Sequence, residues 1–210
     1  MSLPTQEKQL FEVDDMRALD AIDRAQLIAF APYVWEASRL LRDKGILKVV
    51  EDAREKGISI EAVASIVNMS LYGVRILLEA GLGIGLVYRK KGKYFLSKTG
   101  HIFLNHEMTK VNFEFMRDVC FDGAHALEAS IENARPEGLK TLGNWNTLYE
   151  GLSVFPDQAR KSWLAFDHYY SDNAFPEALK IVFDQVPSSI LDIGANTGKW
   201  TLQCLAYNKT

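Results

Sequence analysis

The sequence predicts a mainly α-helical chain that closes on one strand–turn–helix unit of α/β type. Three observations carry this expectation. Apolar residues recur at helical spacing through most of the chain. One short stretch, LVYRKKGKYFLS, reads as two strands around a glycine turn, as a β-hairpin does. The segment SSILDIGANTGKW, residues 188–200, reads as a buried strand running into a glycine turn and then a helix.

The composition sets the outer bounds. With 210 residues, 48% of them hydrophobic and 24% charged, the chain has a globular balance and room for one large or two small domains. A formal net charge of −3 gives no global basic field to draw it to nucleic acid or to an anionic membrane. No apolar run approaches the roughly 18–20 residues that a membrane span requires. The opening stretch MSLPTQEKQLFEVDD lacks the apolar core of a signal peptide, so a cytoplasmic protein without a membrane partner is expected. Cys120 and Cys204 lie far apart and read as buried thiols. His101, His106, His125 and His168 form no metal-binding spacing, and no metal is expected.

The first stretch, residues 1–105, begins with the helical segment RAQLIAFAPYVWEASRLLRDKG. It carries Leu27, Ile28, Val34, Trp35, Leu40 and Leu41 and stops at Gly45. Pro32 either kinks this helix or marks its true start. ILKVVEDAREKG is a second short helix ending at Gly57. Ser59 then caps a helix that places Ile60, Val63, Ala64 and Val67 on one face. Asn68-Met69-Ser70 makes a tight turn, and Ser70 caps a further helix with Leu71, Val74, Leu77 and Leu78 on one face. The hairpin follows, with the basic turn RKKGK around Gly92. Helix, turn, helix, hairpin is the order of a winged helix.

A winged helix has two uses. For DNA, the second helix enters the major groove. Here that helix offers Arg75 and Glu79 and almost nothing else able to reach base edges. Arg89, Lys90, Lys91 and Lys93 of the wing would touch phosphate, or would simply form a solvated turn that blunts a sheet edge. The sequence therefore favours a packing and dimerisation module, forming a homodimer through the N-terminal helices. A DNA-binding regulator is the alternative.

Residues 106–186 read as a helical linker rich in aromatic side chains. Trp163, Phe166 and Tyr170 recur at i, i+3 and i+7 and share one helix face. That face serves as a packing surface, as a pocket wall, or as both in part. Residues 187–210 hold the expected strand Ile190–Ile193 and a helix from Thr197 to about Tyr207.

The glycine turn excludes two phosphate templates. A P-loop requires GxxxxGK[ST]; here Gly194 and Gly198-Lys199 enclose three residues, and Trp200 stands where a hydroxyl is required. A dinucleotide fingerprint GxGxxG fails at Asn196 and Lys199. What remains is an acidic residue at the strand's end with glycines two and six positions on: Asp192, Gly194 and Gly198. Gly194 lets backbone approach a ligand closely, and Gly198 is expected to let the helix start against the strand. The Asp192 carboxylate suits a cationic ligand group, which a diphosphate lacks.

LDIGANTGKW resembles motif I of the class I S-adenosylmethionine-dependent methyltransferases. From about residue 25 the chain resembles the N-terminal part of the two-domain small-molecule O-methyltransferases. The similarity is strongest at SIEAVASIVNMSLYGVRILLEAGLGIGLV, KYFLSKTG and ILDIGANTGKW. The resemblance implies a winged-helix dimerisation domain, a helical linker and the start of a Rossmann-like catalytic domain. It also implies S-adenosyl-L-methionine as cofactor and a small, apolar or aromatic, hydroxyl substrate. Asp192, Gly194, Ala195, Asn196 and Gly198 would line the cofactor's methionine end. Ala195 and Asn196 depart from the family's glycines; alanine is small, and Asn tolerates left-handed backbone angles. FDHYYSD implies substrate contacts from Phe166, Tyr169 and Tyr170, and LYEG implies one from Glu150. By the same resemblance the ribose-binding acid, roughly 20 residues past the turn, falls beyond Thr210, and the family's catalytic histidine comes later still. No catalytic residue is assigned, and a truncated, inactive form of a longer enzyme is expected.

Overall fold

A computed structural model describes residues 14–207. The residues read for a leader, 1–15, lie almost wholly outside this range. The chain divides into two compact units, Met1–Leu104 and Asn105–Thr210, so the stretches 106–186 and 187–210 fall within one unit.

In the first unit, helices α1 (Ala18–Ala29) and α2 (Ala31–Asp43) are separated at Phe30. Pro32 lies in the first turn of α2, where its missing N–H costs nothing, so it marks a true helix start. Gly45, at φ 73, turns the chain into α3 (Ile46–Asp52). A 3-10 turn, Arg54–Lys56, ends at Gly57. Helix α4 (Ile60–Ile66) is capped by Ser59, whose Oγ accepts the Ala62 N–H at 3.3 Å. Helix α5 (Leu71–Ile84) is capped in the same way by Ser70, from the Gly73 N–H at 3.1 Å. The two helices cross at 116°, within the range of about 90–120° for helix-turn-helix pairs. Strands β1 (Val87–Lys90) and β2 (Lys93–Leu96) pair antiparallel, from Val87 opposite Leu96 to Lys90 opposite Lys93. Lys91 and Gly92 carry positive φ, 49° and 77°, as a two-residue hairpin turn requires. This is the winged-helix order. Helix α6 (Lys98–Asn105) closes the unit.

The core of this unit gathers the predicted apolar faces. Leu41, Ile46, Leu47, Val63, Val74 and Leu78 are fully buried, with Leu86, Val87 and Tyr94 beside them. Each such side chain contributes about 1.5–3 kcal/mol relative to exposure. Leu71 departs from its expected face and is exposed. It is the first residue of α5, and helical side chains lean toward the N-terminus, which carries this one off the end of the core.

In the second unit, α7 (Glu107–Phe115) continues through a π turn, Met116–Cys120, and a 3-10 turn, Asp122–Ala126, into α8 (Leu127–Asn133). After a 3-10 turn at Glu137–Thr141 come α9 (Leu148–Gly151), α10 (Asp157–Asp172), α11 (Phe175–Val182) and α12 (Lys199–Tyr207). Leu139, Phe155 and Ala159 form a small core with Trp145 against it. The Trp145 ring fills the space a side chain at Gly143 or Gly151 would need. Phe115 packs on Phe166 at 4.1 Å and on Trp163 at 5.7 Å between ring centroids, so the aromatic face of α10 packs on α7.

The segment 188–198 differs from expectation. It forms no strand; the hairpin is the only sheet among the described residues. Leu191 and Ile193 are 83% and 86% exposed. Extended backbone becomes a strand through a ladder partner, and no described residue pairs with this one. The helix begins at Lys199 rather than Thr197, because Gly198 at φ 75 lies outside helical backbone. No single described helix is long and apolar enough to cross a membrane.

Candidate functional site

The glycine turn has a defined shape. Gly194 (φ 77), Asn196 (φ 49) and Gly198 (φ 75) all occupy left-handed backbone, which glycine adopts without strain and Asn tolerates. The Gly198 N–H donates to the Ala195 carbonyl at 2.7 Å, and the Leu202 N–H to the Gly198 carbonyl at 2.9 Å, opening α12. A Cβ at Gly194 or Gly198 would meet nothing within 4 Å. Gly198 is therefore required by its φ, not by close packing of helix on strand. The open space leaves the backbone of the turn accessible to a ligand.

The turn is fastened to the polar side of α10. Asn196 Nδ2 donates to Asp167 Oδ2 at 2.5 Å. Thr197 Oγ1 lies 3.0 Å from His168 Nε2. Lys199 Nζ donates to Asp172 Oδ2 at 2.7 Å, and His168 Nδ1 lies 3.1 Å from Asp172 Oδ1. Partial burial pushes the Asp172 carboxyl up, but the hydrogen bonds from Lys199 and His168 outweigh it and hold the group below the usual carboxylate range. Rings reinforce the attachment of α12 to α11: Phe175 meets Trp200 at 5.2 Å and Phe183 meets Tyr207 at 5.3 Å.

Asp192 stands at the start of the turn. Its Oδ2 accepts from Thr201 Oγ1 at 2.7 Å, and its Oδ1 has no partner among the described residues. The half-buried carboxylate lines a cavity of about 200 Å³ with Phe183, Ile190, Thr201 and Cys204. Burial, and then the nearby Asp192 charge, push the Cys204 thiol up, so this cysteine is held protonated. One open carboxylate oxygen beside exposed glycine backbone suits a ligand with a cationic head.

Asp192, Gly194, Ala195, Asn196 and Gly198 thus form one continuous turn. The aromatic candidates sit elsewhere on α10. Phe166 stacks on Phe115, and the Tyr170 hydroxyl donates to Asn112 Oδ1 at 2.8 Å. Tyr169 packs edge-on against Tyr170 at 5.3 Å. Glu150 is exposed, and its Oε2 accepts the Asn146 N–H at 3.1 Å, closing the turn before α9. Sequence reasoning missed Asp167, His168, Asp172 and Lys199. The signal was present: at 100° per residue, His168 and Asp172 fall opposite the Trp163, Phe166 and Tyr170 face.

Residues 23–94 match the Dimerisation2-like domain family. No curated protein matches the chain. Among solved structures, the S-adenosylmethionine-dependent methyltransferase SibL in its apo form is similar at 17% identity and a TM-score of 0.62, over 87% of this chain and 54% of that one. The mitomycin 7-O-methyltransferase MmcR is similar at 12% identity and a TM-score of 0.62, over 89% of this chain and 55% of that one. Human N-acetylserotonin methyltransferase, solved with S-adenosylmethionine, is similar at 15% identity and a TM-score of 0.63, over 92% and 57%. The chain shares their fold and spans just over half the length of each.

Proposed function

We propose that these residues belong to an S-adenosyl-L-methionine-dependent O-methyltransferase acting on a small hydroxyl substrate, and that the turn Asp192–Gly198 receives the cofactor's methionine end. The observation that carries this is the pairing of an open Asp192 oxygen with exposed left-handed backbone at Gly194 and Gly198. The fold shared with methyltransferases, one of them solved with this cofactor, agrees with it. The likeness to the Dimerisation2-like domain adds a homodimer to the proposal. Helix α1 buries none of its residues and exposes Leu19, Ile22, Leu27 and Ile28, an apolar surface of the kind a partner covers.

When bound, S-adenosyl-L-methionine supplies an electrophilic methyl group on a sulfonium. The chain's own contribution is positioning. Asp192 would hold the ligand's ammonium through its open carboxylate oxygen, and the glycine backbone would allow close approach. Asp167, His168 and Asp172 hold the turn in that shape through Asn196, Thr197 and Lys199. Tyr169 and Tyr170 are the proposed apolar contacts for the acceptor, with Phe166 supporting Tyr170 from 5.0 Å. Phe166 and Glu150 already serve packing and turn closure. No base is assigned among the described residues. The regulator alternative loses ground, because Arg75 is the one exposed cation of α5, beside Tyr72 and Ile76, where a reading helix brings several base-reading side chains.

The 210 residues alone are proposed to bind cofactor weakly and not to turn over, because Leu191 and Ile193 lack the sheet that would bury them. Calorimetry with S-adenosylhomocysteine tests both statements. In catalytically competent protein, Asp192→Ala should weaken binding by about tenfold or more; unchanged affinity would remove Asp192 from the site. Micromolar binding by the 210-residue chain would overturn the second statement.

A further inference from the structure

One cavity of the first unit has no part in this proposal. It is a groove of about 920 Å³ between the hairpin, the 54–56 turn and the start of α6. The pairing of the strands places Tyr88, Lys90, Lys93 and Phe95 on the hairpin's outer face, away from buried Val87 and Tyr94. Tyr88 and Phe95 stack at 5.2 Å with their planes 15° apart, and Tyr88 remains 49% exposed. Phe95 is wedged onto the backbone of Gly57, where a Cβ would lie 2.4 Å from its ring, so this aromatic floor is fixed.

The walls are cationic. Lys90 and Lys93 stand directly opposite each other, an arrangement in which like charges repel. Lys91 lies at the turn beside them, and Arg54, itself at φ 47, faces the groove with Lys98. Arg54, Lys90, Lys91 and Lys98 have no ion pair among the described residues; the Lys93 ammonium donates to the Lys56 carbonyl at 3.0 Å. Two carboxylates also line the groove, and one of them, Glu51, is engaged by Lys48 and His101. A solvated basic turn would account for Lys91. It would not account for opposed lysines beside a fixed aromatic floor, facing further cations across a concave space. The volume is that of a small-molecule site.

We propose that this groove binds a phosphorylated aromatic compound of nucleotide size, its ring laid on Tyr88 and its phosphate held among Lys90, Lys91 and Arg54. The proposal does not depend on the methyltransferase reading, since every lining residue belongs to the first unit.

Flavin mononucleotide is the probe, because its fluorescence is quenched on stacking and it lacks the cationic amino-acid end proposed for the glycine turn. Saturable quenching by the 210-residue chain is expected, weakening as salt rises. Tyr88→Ala should weaken it about fivefold or more, and Lys90→Glu with Lys93→Glu about tenfold or more. Both variants change exposed side chains, and circular dichroism checks that each remains folded. Riboflavin, which has the ring without the phosphate, should bind far more weakly. The proposal is overturned by any of three results: no saturation up to about 1 mM, quenching that survives the charge reversal in folded protein, or displacement of the flavin by S-adenosylhomocysteine.

Discussion

Replacing Asp172 by Asn should loosen the glycine turn while leaving both compact units folded. Asp172 accepts from Lys199 at 2.7 Å and pairs with His168 at 3.1 Å, and His168 in turn meets Thr197. The lysine and aspartate side chains are 49% and 32% exposed, so solvent screens the pair. An exposed ion pair contributes about 0.2–1 kcal/mol, and with the imidazole contact the total comes to about 1 kcal/mol. That corresponds to roughly a fivefold rise in local opening. Hydrogen exchange read by mass spectrometry on a peptide covering 194–204 measures it, with peptides from the first unit as the control. The pH dependence follows from the depressed Asp172 carboxyl. Its contribution is complete above the ordinary carboxylate pKa of about 3.9 and is lost as pH falls through the lower folded value. Variant and parent should therefore differ at neutral pH and converge in acid. Equal exchange at neutral pH would refute the idea that α10 holds the turn through this residue.

Other substitutions test the first unit. Leu78→Ala empties a fully buried position and should cost about 2–5 kcal/mol in urea unfolding. Gly100→Ala places a Cβ 2.1 Å from the Leu86 carbonyl oxygen, so backbone must shift and the melting temperature of this unit should fall. Leu27→Asp with Ile28→Asp charges the exposed face of α1; a dimer seen by analytical ultracentrifugation should become monomeric with unchanged helicity.

The first unit was legible because its signals are local. Ser59 and Ser70 sit one residue before their helices and cap them, and Lys91-Gly92 dictates the hairpin. The glycine turn was legible for the same reason: Gly194, Asn196 and Gly198 record backbone angles. The strand at Ile190–Ile193 was not settled by its apolar residues, because a strand depends on partners that a single segment does not specify. The attachment of the turn to α10 was hidden by separation. Asn196 meets Asp167, and Lys199 meets Asp172, across 29 and 27 residues, and only the tertiary arrangement brings them together. The aromatic face of α10 carries Phe166 and Tyr170, while His168 and Asp172, which reach the turn, lie on the opposite side of the same helix and Asp167 lies between the two.

The central claim is that the turn at Asp192–Gly198 receives the methionine end of S-adenosyl-L-methionine. Titration of the isotope-labelled chain with millimolar S-adenosylhomocysteine, followed amide by amide in NMR, tests it most directly. The account predicts shifts concentrated at Ile193–Lys199 and lost in Asp192→Ala. An unmoved turn, or shifts that persist without the Asp192 carboxylate, would contradict it.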